Sequence, residues 1–324
     1  MSPLEAHVNS NAEKPVLRRL AWERHSQCLP DLPGEFIRAK IWKWPYRHMR
    51  SFPLSVGIEP TRPGAWRISR DGNDIATTLP LAEWIGPINR PVTIVAGGPT
   101  ARDHPIGELE SSGRLIIAVN GVPAFLAEHG IRPHAWIVSD PRLSLQIENN
   151  FPHAPGTPLA LTAGAAASIA SRAPAELAAR PLCLIERVNQ WHRVPSLSGH
   201  QLLELNARSG SPFSFPPEGR GKSIIGWSRR PELGFFSGCT VVFAALQVVV
   251  GLGARDIEII GMDLGGTGHA YREGKGDLPN TLQDDYEMRI LPSFEMMHEA
   301  LRETDVAIRN LSPVCPLPHR FFAH

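Results

Sequence analysis

The sequence contains few cysteines, and they show no pattern typical of a disulfide framework or a zinc site. The four cysteines are far apart in the chain and form no CxxC pair; they are Cys28, Cys183, Cys239 and Cys315. This spacing is typical of a reducing compartment in which the thiols are buried. The N-terminus also lacks the apolar run of a signal peptide. We therefore expect a cytoplasmic protein.

The sequence also lacks the common motifs for metal, NAD or P-loop ATP binding, and it lacks an apolar stretch long enough to span a membrane. There is no DxD pair and no His/carboxylate cluster at metal spacing, so we predict no metal site and no cofactor. Without GxGxxG or a Walker A loop, NAD and P-loop ATP binding lack support. The longest apolar stretch, Cys239 to Leu252, is too short to span a bilayer. A formal net charge of +1 gives no global field for nucleic acid.

Residues 1–85 are interpreted as an N-terminal extension that contains a basic aromatic segment at 36–52. That segment, FIRAKIWKWPYRHMRSF, has five Arg or Lys residues and no acidic residue. Two hypotheses remain open for it. It rests on the anionic surface of the inner membrane, or its aromatic rings pack on the main domain while the charged heads stay in water.

Residues 86–324 show strands that alternate with helices. The predicted strands are 92–96, 114–119, 135–139, 182–185, 256–260 and 306–309. The predicted helices are 123–129, 165–179, 240–252 and 294–302. Nearly continuous apolar strands between helices predict an α/β fold with a mostly parallel sheet that helices cover on both faces.

Small or polar residues follow three of these strands, where α/β sheets bind their ligands. They are Gly97-Gly98-Pro99-Thr100, Asn120-Gly121 and Asp140-Pro141. Two adjacent glycines permit a tight turn and a close approach of the backbone to a ligand. Ser237-Gly238 precedes the apolar helix, where the serine either caps that helix or binds phosphate together with its N–H groups.

Residues 261–271 (GMDLGGTGHAY) form the most informative stretch, because a glycine-rich loop that carries titratable groups is typical of an active-site lid. We place this lid at about 265–292. Two of the three tyrosines, Tyr271 and Tyr286, lie there and suit a nucleotide phosphate. His269 in the lid and His298 on the next helix are candidate general bases, and Asp263 is a third.

Six blocks of the chain resemble the WaaZ-type lipopolysaccharide core transferases, which are implicated in adding a further Kdo (3-deoxy-manno-octulosonic acid) to the inner core. The blocks are IIAVNG (116–121), HGIRPHAWIVSDPR (129–142), SGCTVVFAALQVVVG (237–251), GMDL (261–264), ILPSFEMMH (290–298) and NLSP (310–313). The resemblance runs from about Pro91 to Pro318 and leaves residues 1–85 uncovered.

GGPT, the strand ending at Asn120, SGxxxxxxA and GMDL are more distantly similar to the bacterial CMP-sialic acid sialyltransferases. That resemblance implies a single Rossmann-like domain with a lid, no metal and a CMP-activated ulosonic acid donor. The catalytic histidine of those enzymes aligns roughly with Arg289, which leaves the base open between His269 and His298. The implied donor nucleotide site consists of Gly97, Gly98, Pro99, Thr100, Asn120, Asp140, Ser237, Gly238, Tyr271, Tyr286 and Arg289.

The sequence thus predicts a metal-independent glycosyltransferase that uses CMP-Kdo and a lipopolysaccharide core acceptor. Peripheral contact with the cytoplasmic face of the inner membrane is a further expectation. Two alternatives remain. The glycine-proline turn and the GMD block also resemble a family of small pterin pyrophosphokinases, which use ATP. The chain could also be a non-catalytic member that organises polysaccharide assembly through the basic aromatic segment.

Overall fold

The computed structural model describes residues 47–49, 52–214, 216, 224–265, 268–270 and 282–322. The strands of this part of the chain are β1 Val56–Arg62, β2 Ala65–Arg70, β3 Asn73–Thr77, β4 Val92–Val95, β5 Leu115–Val119, β6 Ala135–Val138, β7 Leu159–Leu161, β8 Leu182–Leu184, β9 Phe213–Ser214, β10 Trp227–Ser228, β11 Asp256–Ile260 and β12 Ala307–Asn310.

The α-helices of the same residues are α1 Leu81–Trp84, α2 Val122–Glu128, α3 Ile147–Asn150, α4 Ala163–Arg172, α5 Pro174–Ala178, α6 Gly199–Arg208, α7 Val241–Gly251, α8 Leu282–Asp285 and α9 Leu291–Leu301. A π-helix, Tyr286–Ile290, joins α8 to α9 without a break. A 3₁₀-helix, Pro99–Asp103, follows β4 closely.

Seven parallel strands form the central sheet in the order β12-β11-β4-β5-β6-β7-β8. Every residue of β4 and β6 is buried, as expected for parallel strands that helices cover. The nearly all-apolar α7 packs on β4, β5 and β6. The predicted Rossmann-like α/β fold with a mostly parallel sheet is confirmed.

Strand order reverses at β4. The chain first builds β5 to β8 on one side of β4 and later adds β11 and β12 on the other. The loops after β4 and β11 therefore leave the same sheet edge side by side, and a crevice opens between them. This position is the topological switch point at which open α/β sheets bind their ligands.

A separate antiparallel sheet, β1-β2-β3, lies ahead of the central sheet in the chain. Ile58, Trp66 and Ile68 of this small sheet are buried, and its strands pack on α4 and α5. Phe52 stacks on His192 with ring centroids 4.8 Å apart. The rest of the basic aromatic segment, apart from 47–49, lies outside the described residues, and the division near residue 86 stays a prediction.

Several details of the secondary structure differ from the sequence prediction. The helix α6, Gly199–Arg208, was not predicted. β7 was not predicted either, because Leu159–Leu161 contains no β-branched or aromatic residue, whereas the run predicted for β8 includes Ile185. The helix predicted over 165–179 is divided into α4 and α5, since Ala173 precedes Pro174 and takes a non-helical conformation. The proline ring disfavours helical dihedrals in the residue before it.

A buried amide joins α7 to the chain segments that lead to its N-terminus. Gln247 is fully buried. Its Oε1 accepts hydrogen bonds from the backbone N–H groups of Ser228 at 3.1 Å and Phe236 at 2.9 Å. Its Nε2 donates to the carbonyls of Phe236 and Phe243, both at 2.9 Å. The side chain thus fixes the backbone just before Ser237.

Replacing Gln247 by leucine should destabilise the protein by about 3 kcal/mol, because two buried N–H groups lose their acceptor. The free energy of unfolding from urea titration measures this loss. Val250→Ala, a half-buried position on the same helix, is the control and should cost less than about 1 kcal/mol. Equal stability of Gln247→Leu and wild type would show that this amide does not anchor the segment.

Candidate functional site

The loops after β4 and β11 approach each other so closely that only glycine fits at the contact. The Gly98 N–H donates to the Gly261 carbonyl at 2.8 Å. A Cβ on Gly98 would lie 2.5 Å from that oxygen and 2.6 Å from Cγ of Asp263. Gly261 itself has a φ of 72°, a conformation that side chains disfavour. Both glycines are therefore required by the geometry of the crevice.

Asp263 holds the turn after β4 in place. Its carboxylate is buried, and one oxygen accepts the Thr100 backbone N–H at 2.9 Å. The other oxygen accepts a short hydrogen bond from the Thr100 hydroxyl. The Ala270 N–H donates to the Gly97 carbonyl at 2.8 Å, which brings His269 next to the same turn. Asp263 thus uses both oxygens to position the turn.

A cavity of about 590 Å³ opens above this contact, at the carboxyl ends of the strands. It brings together nine of the residues predicted from the sequence, which come from six separate chain segments. They are Gly97, Gly98, Pro99, Asn120, Asp140, Ser237, Asp263, His269 and Arg289. A volume of this size accommodates a nucleotide-sized ligand.

Asn120 enters the cavity with a strained backbone and a polar atom that lacks a partner. It follows β5 with a φ of 45°, and its carbonyl accepts the indole N–H of Trp136 at 2.7 Å. Within the described residues, its buried Oδ1 has no hydrogen-bond partner. Strained residues and unpaired buried polar atoms are concentrated at functional sites. This amide is positioned to bind a polar ligand.

The N-terminus of α7 forms another wall of the cavity. Gly238 and Cys239 both have left-handed φ values, 50° and 54°, and a Cβ on Gly238 would lie 2.5 Å from the Phe243 ring. The residue that caps α7 is Thr240, whose hydroxyl accepts the Val242 N–H at 3.3 Å. The capping role considered for Ser237 is therefore wrong, and Ser237 lies on the cavity wall instead.

Three arginines, Arg142, Arg187 and Arg289, supply positive charge to the cavity. Arg289 lies on the π-helix, where it pairs with Asp285 at 3.1 Å and donates to Cys239 Sγ at 3.7 Å. Burial raises the pKa of the Cys239 thiol, which keeps it protonated. Turns of π-helix are frequent at functional sites. This one presents Arg289 to the cavity.

Arg187 was missed by the sequence analysis. It follows β8, the weakest of the predicted strands, and no local motif surrounds it. The available signal was its place after a strand, since all parallel strands of one sheet end at the same edge. Arg142 also lines the cavity. It lies in the block 129–142 that resembles the WaaZ-type transferases, but it was not predicted to be a site residue.

Four of the predicted residues that the structure describes do not line the cavity. Thr100 and Gly238 are two of them, although their chain neighbours Pro99, Ser237 and Cys239 line it. Tyr286 donates its hydroxyl to the Pro316 carbonyl at 2.8 Å. His298 packs its ring 5.7 Å from the ring of Phe321. Tyr271 lies outside the described residues, as do 266–267 and 272–281 of the predicted lid.

Within the described ranges, no three or more His, Cys, Asp or Glu side chains are arranged to hold a metal ion. None of the helices in that part of the chain is long and apolar enough to cross a bilayer.

Comparison with known proteins gave a match over most of the chain. A family model described as 3-deoxy-D-manno-octulosonic acid transferase WaaZ matches residues 88–320. A probable 3-deoxy-manno-octulosonic acid transferase of Escherichia coli (strain K12) is 27% identical over 230 residues, which are 69% of this chain and 78% of that protein. One of Salmonella typhimurium (strain LT2) is 26% identical over 228 residues, 68% of this chain and 80% of that protein.

Solved structures of a sialyltransferase are also similar to this chain. The Campylobacter jejuni sialyltransferase CstII in complex with the substrate analogue CMP-3FNeuAc is 13% identical, covers 72% of this chain and 85% of its own, and has a TM-score of 0.40. The complex of CST-II with a trisaccharide acceptor and CMP has the same identity and coverage, with a TM-score of 0.36.

Replacing Gly98 by alanine should destabilise the fold by about 1–3 kcal/mol, because the added methyl group overlaps the Gly261 carbonyl and the Asp263 carboxylate. Thermal denaturation measures the loss. Gly107→Ala is a matched control, since no atom lies within 4 Å of the Cβ it would add. Equal melting temperatures for the two variants would contradict the tight contact at Gly98.

Proposed function

Because this chain belongs to the WaaZ family of 3-deoxy-D-manno-octulosonic acid (Kdo) transferases and is a glycosyltransferase, we propose that it transfers Kdo from CMP-Kdo to a sugar hydroxyl of the lipopolysaccharide inner core. The observation that carries this proposal is the cavity at the switch point. It combines a glycine turn, an amide with an unpaired oxygen, a helix N-terminus and arginines in one site.

The nucleotide phosphate binds at the N-terminus of α7, beside Ser237. Helix N-termini attract anions because their free N–H groups and the helix dipole both favour negative charge. Asn120 provides an amide for the nucleoside or the phosphodiester. The Gly97-Gly98 turn lets the backbone approach the donor without interference from side chains.

Departure of CMP leaves negative charge on its phosphate, and the cavity offers cations to stabilise that charge. Arg289 and the dipole of α7 stabilise the negative charge on the phosphate of the departing CMP. Preorganised donors and charges lower the activation barrier of a reaction in which such charge develops. We therefore propose transfer that does not depend on a divalent metal. The support for this is the positive charge that the protein itself supplies.

In the transfer step the acceptor oxygen attacks the anomeric carbon, the bond from that carbon to the phosphate oxygen breaks, and the electron pair leaves with CMP. The proton of the acceptor hydroxyl passes to a general base. We assign that base to His269, which lines the cavity. Asp263 uses both oxygens on Thr100, and His298 packs against Phe321.

A lipopolysaccharide core acceptor is attached to lipid, so the proposed reaction takes place on the cytoplasmic face of the inner membrane. The basic aromatic segment at 36–52 is the proposed peripheral contact. Its support is composition alone: five cationic side chains, several aromatic rings and no acidic residue.

Cytidine nucleotides should stabilise the protein selectively, because ligand that binds only the folded state raises the melting temperature. A thermal-shift panel of CMP, CDP, UMP, GDP and ATP measures this. CMP and CDP are expected to give the largest shifts. A shift with ATP alone would favour the pyrophosphokinase alternative, and no shift with any nucleotide would favour a non-catalytic assembly protein.

His269→Ala should lower kcat by about 100-fold or more, because the acceptor proton loses its base. Its Kd for CMP should stay within about two-fold of wild type, since no proton transfer takes part in binding. Turnover of CMP-Kdo with a core acceptor measures the first value, and calorimetry measures the second. His298→Ala serves as the comparison and should retain most of its turnover; the reverse result would assign the base to His298.

A further inference from the structure

Arg187 is held rigidly on the cavity wall by backbone contacts on both sides. The Phe235 N–H donates to the Glu186 carbonyl at 2.8 Å, and the Val188 N–H donates to the Phe235 carbonyl at 2.9 Å. Phe235 lies two residues before Ser237, so the position of Arg187 is fixed relative to the N-terminus of α7. The close approach depends on Gly234, where a Cβ would lie 2.7 Å from the Val188 Cα.

The charge of Arg187 is poorly compensated by the protein. Its guanidinium donates to Gln190 Oε1 at 3.2 Å. In the described ranges, no carboxylate oxygen lies within 4.0 Å of it. Burial lowers the pKa of Arg187, which means that its cation has lost hydration without an equal gain from partners.

The two acidic neighbours of Arg187 are already neutral or engaged. Burial raises the pKa of the Glu186 carboxyl to about 8, so this group is protonated at neutral pH, and it accepts the Ala163 N–H at 3.2 Å. Asp140 pairs with Arg142, whose Nε donates to it at 2.7 Å. A half-buried arginine without a carboxylate partner is suited to an anionic ligand.

Arg187 and Arg289 share the cavity, and their charges repel each other. Arg289 has Asp285 as a partner at 3.1 Å, so Arg187 is the less compensated of the two cations, and a ligand with two negative groups can contact both. A CMP-activated ulosonic acid has two negative groups, the phosphate and the C1 carboxylate, and both are attached to its anomeric carbon. A nucleoside monophosphate sugar without a carboxyl group has only one. The charge pattern of the cavity therefore matches the first kind of donor.

We propose that Arg187 binds the C1 carboxylate of the donor sugar and thereby selects ulosonic acids against sugars that lack this group; the inference rests on the proposed function. The phosphate has Arg289 and the α7 N–H groups as partners, which leaves Arg187 for the second anion. The planar guanidinium matches a carboxylate with two parallel hydrogen bonds. Arg187 is thus a specificity-determining residue of the donor site.

The test compares Arg187→Gln with wild type on three ligands: CMP, CMP-Kdo and the C1 amide of CMP-Kdo, in which the carboxylate is neutral. Wild type should bind CMP-Kdo about 10- to 100-fold more tightly than the amide, since a charge-assisted pair is lost. In Arg187→Gln the two affinities should lie within about three-fold of each other, while the Kd for CMP should stay within about two-fold of wild type.

Two further variants complete the test. Arg187→Lys keeps the charge without the planar fork, so its preference for the carboxylate should be intermediate. Arg302→Gln, which changes an exposed arginine directly after α9, should retain the wild-type ratio. Near-UV circular dichroism checks that each variant folds. If Arg187→Gln does not fold, Arg187→Lys is the test variant. A wild-type ratio of the affinities for CMP-Kdo and its amide in Arg187→Lys would then overturn the assignment.

The outcomes separate this inference from the function on which it rests. If wild type binds CMP and prefers the carboxylate, and Arg187→Gln keeps that preference, only the role of Arg187 is overturned. If Arg187→Gln loses affinity for CMP as well as for CMP-Kdo, Arg187 binds the phosphate, and its proposed role at the carboxylate is also overturned. If wild type binds neither CMP nor CMP-Kdo, the proposed function fails and this inference fails with it.

Discussion

The contact between Gly98 and the Gly261–Asp263 segment is the constraint on which the rest of the site depends. Parallel strands β4 and β11 are neighbours in the sheet, so their following loops must leave the same edge a few ångströms apart. Two glycines allow this approach, and the buried Asp263 carboxylate locks it through Thr100. The turn after β4, Asp263 and the neighbouring His269 are positioned by this contact.

The opposite wall of the cavity, which contains Ser237 and Arg187, is held by a second set of long-range hydrogen bonds. Gln247 fixes the backbone around Phe236, and the Phe235 main chain in turn fixes Arg187. The wall that holds Ser237 and Arg187 is thus tied to the core helix α7. Such preorganisation lets charged groups act on a ligand without a reorganisation cost during the reaction.

The fold was predictable because its strands are short apolar runs that end in glycine or polar residues, and these runs give a strong local signal. β7 was not predicted because Leu159–Leu161 contains no β-branched or aromatic residue. The glycine turns could be predicted in the same way, because they follow these apolar runs directly in the sequence. Arg187 could not, since a bridge to Phe235, 48 residues further along the chain, places it in the cavity. The cap of α7 is Thr240 and not Ser237, because the left-handed Gly238 and Cys239 separate Ser237 from the first turn of the helix.

The π-helix at Tyr286–Ile290 has a consequence for how members of such a family diverge. A π-turn corresponds to an α-helix with one residue inserted, and each residue of an α-helix advances by about 100° around the axis. Deletion of one residue here would leave α9 in place and rotate the preceding turn by that angle. A different side chain would then replace Arg289 in the cavity. A single-codon deletion at this point would therefore change the charge that faces the cavity while the sheet and its core stay unchanged.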